Sequence, residues 1–108
     1  MTMIPGFDNS VQQIRSVRSI LLTMVNSAYP RGLYEDLICD SMLELSEPVA
    51  VEYVVRDLAY LEGRGLIEGS IAPDPRTVAK AKAKTWKLTA KGVTFIEHSM
   101  PWAEIEKL

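Results

Sequence analysis

The segment from Asp57 to Leu66 places the strongest constraint on how this chain can fold. Its first residues carry apolar side chains at helical spacing, and Gly63 and Gly65 then interrupt the helix just before an apolar run. Gly65 is suited to the left-handed conformation in which many helices end, and Leu66 to the apolar contact that follows such an ending. The sequence therefore predicts a helix that passes into a strand with almost no loop between them.

A second segment predicts a returning strand and a further helix. Trp86 and Leu88 lie on one face of an extended stretch, as in a half-buried strand. Thr89 then offers a side-chain oxygen that can cap a helix, which we expect to end near Met100. This strand would pair with the first one, over 66–71, and so form an antiparallel hairpin.

Two more helices are expected earlier in the chain. The first is capped by Asn9 or Ser10 and ends before Pro30, which disfavours helical geometry in the residue that precedes it. The second begins at Leu33. Ser46, followed by an acidic residue and a proline, predicts the cap of the third helix. The apolar positions at helical spacing, expected in the core, are Val11, Ile14, Val17, Leu21, Met24, Val25, Leu37, Ile38, Met42, Leu45, Val51, Val54, Val55, Leu58 and Leu61.

The composition indicates one folded domain and excludes several classes of protein. The 108 residues are 47% hydrophobic and 24% charged, which supports a packed core. No apolar run reaches the roughly 18 residues of a membrane span, the N-terminus lacks the features of a secretory signal, and the lone Cys39 fits a reducing compartment. We expect an N-terminal arm over 1–8, a domain over 9–100, a tail over 101–108 and a cytoplasmic location.

Charge is divided unevenly along the chain, although the net charge is only −2. Between Glu35 and Glu68 there are nine acidic residues and two basic ones. Between Pro75 and Gly92 there are six basic residues and no acidic one, so half of the 12 positive side chains lie in this short stretch. The loop between the two predicted strands is therefore positively charged, whereas the helices before it are acidic.

The order of these parts resembles the winged helix-turn-helix superfamily, which includes the MarR-, PadR- and ArsR-like bacterial regulators. The resemblance covers about 33–98 and rests on Leu58, Leu61, Glu62, Arg64, Gly65, Leu66, Ile67, Leu88, Thr89, Lys91 and Gly92. It implies a mainly α fold with a small β-hairpin (α+β): a three-helix bundle, a two-stranded wing and a C-terminal helix. The helix-turn-helix would span about 34–63 and the wing about 66–88, in a protein of bacterial or phage source. In DNA-binding members of the superfamily, the third helix enters the major groove and the wing lies along the backbone or minor groove.

The basic residues of the wing are candidates for contacts with DNA phosphates, because cations on a protruding loop can release condensed counterions. The same side chains could instead serve only to keep the hairpin solvated. The wing candidates are Arg76, Lys80, Lys82, Lys84 and Lys87. Three scattered arginines, Arg15, Arg18 and Arg31, are weaker candidates for the same role.

The third helix supplies a second set of candidates, on the side opposite its expected core. A helical wheel places Val49, Tyr53, Arg56 and Tyr60 there, and Arg56 could make a bidentate contact to guanine. The tyrosines could equally cover a neighbouring loop or bind a partner protein. The acidic residues of this helix would repel a DNA backbone, so the sequence leaves open whether the third helix recognises specific bases.

The expected function is that of a small DNA-binding regulator of transcription, which binds double-stranded DNA as a homodimer. The candidate dimer contacts are the long first helix and the tail residues Trp102, Ile105 and Leu108, unless these close the core of one protomer. The alternative is a winged-helix module that binds a partner protein through the third-helix face. We expect no enzyme activity, metal, cofactor or membrane partner. The sequence has one histidine (His98) and one cysteine, which are too few for a zinc site, and it lacks a glycine-rich phosphate loop.

Overall fold

A computed structural model describes residues 11–107, so the expected caps Asn9 and Ser10 and the tail residue Leu108 lie outside the described residues. The helices are α1 (Val11–Ala28), α2 (Glu35–Leu43), α3 (Val51–Gly63), α4 (Ala90–Glu97) and α5 (Trp102–Glu106). The strands are β1 (Leu33–Tyr34), β2 (Ile67–Pro73) and β3 (Lys82–Leu88). In this part of the chain the strands form one antiparallel sheet in the order β1-β3-β2, with the helices packed around it.

The predicted passage from α3 into β2 is confirmed. Gly65 has a φ of +77°, and the backbone N–H of Leu66 donates to the carbonyl oxygen of Leu61 at 3.0 Å. Leu66 is fully buried, so the expected apolar contact accompanies this left-handed ending. Because β2 begins at Ile67, the hairpin leaves the bundle directly at the end of α3.

The sheet is larger than the sequence predicts. β2 and β3 pair over all seven residues of each strand, which extends the hairpin beyond its expected ends. Leu33, predicted to begin the second helix, instead pairs with Trp86 as part of a third strand. The helix starts only at Glu35, whose carboxylate accepts the indole N–H of Trp86 at 3.1 Å. Pairing with a strand distant in sequence therefore overrides the local helical pattern.

The third helix begins later than predicted. The local signal places its cap at Ser46, but α3 starts at Val51 and Ala50 takes the extended N-cap conformation. The intervening segment is held against α2, because the N–H of Val49 donates to the carbonyl oxygen of Met42 at 3.1 Å. The side chain of Val49 is buried in the core, and this anchoring delays the helix.

Most of the predicted core is confirmed, with one systematic error on α3. Four predicted core positions are exposed, namely Val11, Leu37, Val51 and Val55. Asp57, by contrast, is fully buried and faces Arg18 of α1. The buried side of α3 is therefore turned toward α1, which leaves Val51 and Val55 in solvent.

The C-terminal part closes the core. Thr89 caps α4 as predicted: its hydroxyl accepts the N–H of Gly92 at 3.0 Å and donates to the carbonyl oxygen of Gly65 at 2.6 Å. α4 is shorter than predicted, and Ser99 takes a φ of +48° where the chain turns. The tail then folds back as α5 and buries Ile105. Within the described residues, none of the helices has the combination of length and apolar character that crossing a membrane requires.

Candidate nucleic-acid interface

The loop that joins β2 to β3 is a hydrogen-bonded turn. The N–H of Asp74 donates to the carbonyl oxygen of Ala81 at 2.8 Å and closes the base of the loop. The hydroxyl of Thr77 donates to the carbonyl oxygen of Asp74 and accepts the N–H of Ala81. Lys80 takes a φ of +50° where the chain turns back toward β3. The cations of the wing are therefore presented on an ordered support.

Arg76 anchors this loop to the body of the protein. Its guanidinium donates to both carboxylate oxygens of Asp74, at 2.8 to 3.0 Å, and to Asp36 at the start of α2 at 3.2 Å. It also lies 3.4 Å from the ring centre of Tyr34, in cation–π geometry. The side-chain hydrogen bond from Arg76 holds the pKa of Asp74 below its usual value. These contacts make Arg76 a clamp between the wing and α2, whereas the sequence suggests a flexible cation.

The lysines of the wing differ in what they contact. Lys87 lies 3.6 Å from the carboxylate of Glu68 across the hairpin. Lys84 lies 4.5 Å from the centre of a tryptophan ring, and this contact does not neutralise its charge. Lys80 and Lys82 are exposed and form no ion pair within residues 11–107. Uncompensated positive charge is therefore concentrated at positions 80, 82 and 84.

The structure separates the four predicted residues of the third helix. Val49 precedes α3 and is buried, so it does not lie on an exposed helical face. Tyr53 and Tyr60 are half-buried and pack against the core, and an arginine of α1 lies 3.5 Å over the ring of Tyr60. Arg56 is the exposed member of the four, and its guanidinium donates to Asp57 at 3.2 Å.

The solvent face of α3 has a composition that the sequence did not suggest. Its exposed residues before the terminal glycine are Val51, Glu52, Val55, Arg56, Ala59 and Glu62. Val51 is 45% exposed and Val55 is 42% exposed. The helical wheel missed them because it was centred on apolar residues alone. Asp57 was the residue that could have corrected this prediction, because a charged side chain can lie on a buried face when an arginine of another helix pairs with it.

Asp57 joins α1 to α3 through a buried carboxylate. Arg18 donates to it through Nε at 3.2 Å, and Arg56 donates through Nε and Nη2 at 3.3 and 3.2 Å. Arg15, one turn earlier on α1, pairs with Glu106 of α5, with an Nε–Oε2 distance of 3.0 Å. Two of the three scattered arginines are thus engaged inside the protein, which weakens their case as phosphate-binding residues.

Two other kinds of site, a metal site and a reactive thiol, were considered among the described residues. Within 11–107 there is no group of three or more His, Cys, Asp or Glu side chains arranged to hold a metal ion. Cys39 is buried as predicted, and its burial, together with the negative charges of Glu35 and Asp40, raises the pKa of its thiol. Cys39 is therefore a core side chain with little thiolate character.

Comparison with known proteins identifies the fold. No family model matches the sequence, and no curated protein does. A PadR family transcriptional regulator from Eggerthella lenta DSM 2243 is 12% identical, with a TM-score of 0.56 over 82% of this chain and 76% of that one. A PadR-like transcription factor from Bacteroides fragilis is 18% identical, with a TM-score of 0.58 over 90% and 92% of the two chains. A PadR family transcription regulator from Clostridium difficile R20291 is 22% identical, with a TM-score of 0.57 over 82% and 91%. At these identities the likeness is one of fold, and the predicted winged helix-turn-helix fold is confirmed.

Proposed function

We propose that this chain is a small DNA-binding regulator of transcription that binds duplex DNA through α3 and the basic wing. The observation that carries the proposal is the wing: an ordered hairpin that presents Lys80, Lys82 and Lys84 without acidic partners among the described residues. A duplex carries one phosphate charge per ~1.7 Å of its axis, so cations on such a support suit contact with the backbone. The solved structures that share the fold are described as transcriptional regulators, which supports the same kind of partner here.

The two parts of this surface would contribute differently to binding. The exposed face of α3 carries Glu52 and Glu62, which repel phosphates, against the single exposed base Arg56. The affinity for any duplex would therefore come mainly from the wing, and α3 would contribute through base edges.

A protein-binding module is less well supported, because its expected anchors are occupied within the chain. Tyr53 and Tyr60 pack against the core, and each ring has a guanidinium beside it, from Arg56 and Arg18 respectively. An aromatic anchor contributes most to an interface when its exposed ring enters a pocket of the partner. Neither ring is presented in that way.

Fluorescence anisotropy with a random-sequence duplex, at salt from ~50 to ~200 mM, tests the proposal. We expect binding that weakens steeply with salt. The variant Lys80→Ala/Lys82→Ala/Lys84→Ala should bind every duplex more weakly, with a salt slope smaller by about 0.9 for each phosphate that the variant no longer neutralises.

A matched control separates the effect of the wing lysines from that of net charge. Lys107→Ala removes one exposed lysine that follows α5 and pairs with Glu104, far in sequence from the wing, and it is compared with the single variant Lys80→Ala, which removes the same charge. We expect Lys107→Ala to keep the wild-type slope. If the wild-type protein does not bind at ~50 mM salt, the proposal is wrong.

We also propose that the protein acts as a homodimer through the outer side of α1. The tail is used inside the protomer, since Ile105 is buried and the ring of Trp102 lies 4.9 Å from that of Phe95. α1 carries a shallow groove of about 390 Å³, which is lined by Ser19, Ile20, Thr23, Met24 and Ser27. Small side chains along this groove would allow a second helix to approach closely.

Sedimentation analysis of wild type and Thr23→Arg tests this dimer. Thr23 is exposed, so the substitution should leave the fold intact and place a large charged side chain in the interface. We expect a dimer for wild type and a monomer for the variant. A wild-type protein that is monomeric at all concentrations would refute the proposal.

A further inference from the structure

The solvent face of α3 carries an aliphatic stripe that the fold does not use. Val51, Val55 and Ala59 follow one another at intervals of four residues, so they lie in a row along the helix. Both valines are over 40% exposed, and the row borders the buried face of the same helix, which is formed by Val54, Leu58 and Leu61. Glu52 and Glu62 flank the row. This is an unusual surface for a helix that is proposed to enter a groove lined by polar base edges.

The chemistry of an aliphatic side chain restricts what it can recognise in the major groove. A valine neither donates nor accepts a hydrogen bond, so it cannot distinguish the amino, carbonyl and ring-nitrogen groups of the bases by pairing with them. The apolar feature of the major-groove edges is the C5-methyl group of thymine. We infer that Val51 and Val55 read thymine methyl groups, with Ala59 leaving room for close approach. This inference rests on the proposed function and names the class of DNA sequence that the helix prefers.

The geometry of the helix and of the duplex is compatible with this reading. Four helical residues advance about 6 Å along the helix axis, at about 1.5 Å per residue. Two base-pair steps advance about 7 Å, at about 3.4 Å per step along one strand. Val51 and Val55 can therefore meet methyl groups two base pairs apart, and alternating A·T sequence supplies thymines at that spacing on each strand.

The neighbouring charges favour this orientation over one in which α3 lies on the backbone. Glu52 and Glu62 would be repelled by phosphates, whereas in the groove a carboxylate can accept from an amino group of a base. The hairpin continues from the end of α3, and the side chain of Glu62 accepts the N–H of Gly69 in β2 at 3.2 Å. The wing lysines can thus hold the phosphates while the aliphatic row faces the bases.

Replacing thymine by deoxyuridine tests the inference, since it removes the methyl group and leaves the hydrogen-bonding groups of the base unchanged. The probes are an alternating A·T duplex, its A·U counterpart, and alternating G·C duplexes with cytosine or 5-methylcytosine, all measured by anisotropy. Burial of each methyl group should contribute about fourfold in affinity. We expect the A·T duplex to bind more than about tenfold tighter than the A·U duplex, and 5-methylcytosine to strengthen binding to G·C.

The variant Val51→Ser/Val55→Ser should lose this discrimination and bind A·T and A·U equally. The matched control is Val78→Ser, because Val78 is an equally apolar and fully exposed valine in the wing loop. It should keep the wild-type ratio. Thermal unfolding of both variants checks that the fold is intact, as expected for substitutions of exposed side chains.

The outcomes separate the inference from the proposed function. Equal binding of the A·T and A·U duplexes by wild type would overturn the inference and leave the proposed function standing. Discrimination that survives Val51→Ser/Val55→Ser would overturn the assignment to these valines. Absence of binding to every duplex at ~50 mM salt would overturn both, and would leave the row as a surface for a protein partner.

Discussion

The substitution Arg18→Met should destabilise the protein by about 3 kcal/mol, because it removes the less exposed of the two arginines that pair with the buried carboxylate of Asp57. Asp57 is fully buried, and the Arg18 side chain that pairs with it is only 14% exposed. Removing one member of a buried ion pair costs about 3–5 kcal/mol. We expect the lower end of this range, since Arg56 continues to donate to the same carboxylate.

Two companion variants test whether burial sets this magnitude. Arg56 makes an ion pair with the same carboxylate, but its side chain is 42% exposed. Arg56→Met should therefore cost less than Arg18→Met, because solvent already screens much of the charge of Arg56. Arg18→Met/Asp57→Leu removes both charges of the pair and should regain most of the stability that is lost in Arg18→Met.

Urea unfolding followed by circular dichroism, at one protein concentration, measures these differences. The midpoint of unfolding should fall in Arg18→Met while the slope with denaturant stays constant, which indicates a change in stability alone. The reasoning would be refuted if Arg18→Met cost less than Arg56→Met, or if the double variant were less stable than Arg18→Met.

Three further predictions concern packing, pH and the thiol. A Cβ at Gly92 would lie 2.1 Å from a backbone carbonyl oxygen, so Gly92→Ala should cost about 2 kcal/mol or more in urea unfolding, while Gly63→Ala, which meets nothing within 4 Å, should not destabilise. The hydrogen bond from Arg15 lowers the pKa of Glu106 from its usual 4.5, so this contribution to stability is present above that pH and disappears as the pH falls through the lowered value. Unfolding measured from pH 7 to pH 3 should therefore show a weaker acid destabilisation for Glu106→Gln than for wild type. Cys39 should react with a disulfide reagent at pH 8 much more slowly in the folded protein than in urea, since burial raises the pKa of its thiol.

Local backbone chemistry made part of the fold predictable from the sequence. Gly65 and Thr89 act within a few residues of their own positions, by a left-handed ending and by a helix cap, so their roles could be stated before any tertiary contact was known. The strand at Leu33 could not be predicted in this way, because it exists only through pairing with Trp86. The delayed start of α3 likewise depends on a contact between Val49 and α2.

The positive charge of the candidate site could be predicted from the sequence, whereas the contacts of its side chains mostly could not. The basic run located the wing, but it could not show that Arg76 is clamped by Asp36, which lies forty residues away in sequence. Asp74, two residues before Arg76, was a local sign of that clamp. On α3, the predicted core contained apolar residues only, so it left out the buried Asp57 and included Val51 and Val55, which are exposed.

The wing lysines and the aliphatic row of α3 are proposed to contact different parts of the duplex, so the affinity and the preference for thymine should respond differently to salt. On the proposed function, contacts between Lys80 or Lys82 and phosphates would release counterions, so the affinity for any duplex should fall as salt rises. Burial of methyl groups against Val51 and Val55 releases no ions, so the ratio of affinities for A·T and A·U duplexes should stay constant over the same range. A ratio that fell together with the affinity would mean that discrimination comes from charged contacts, and would place the readout in the wing.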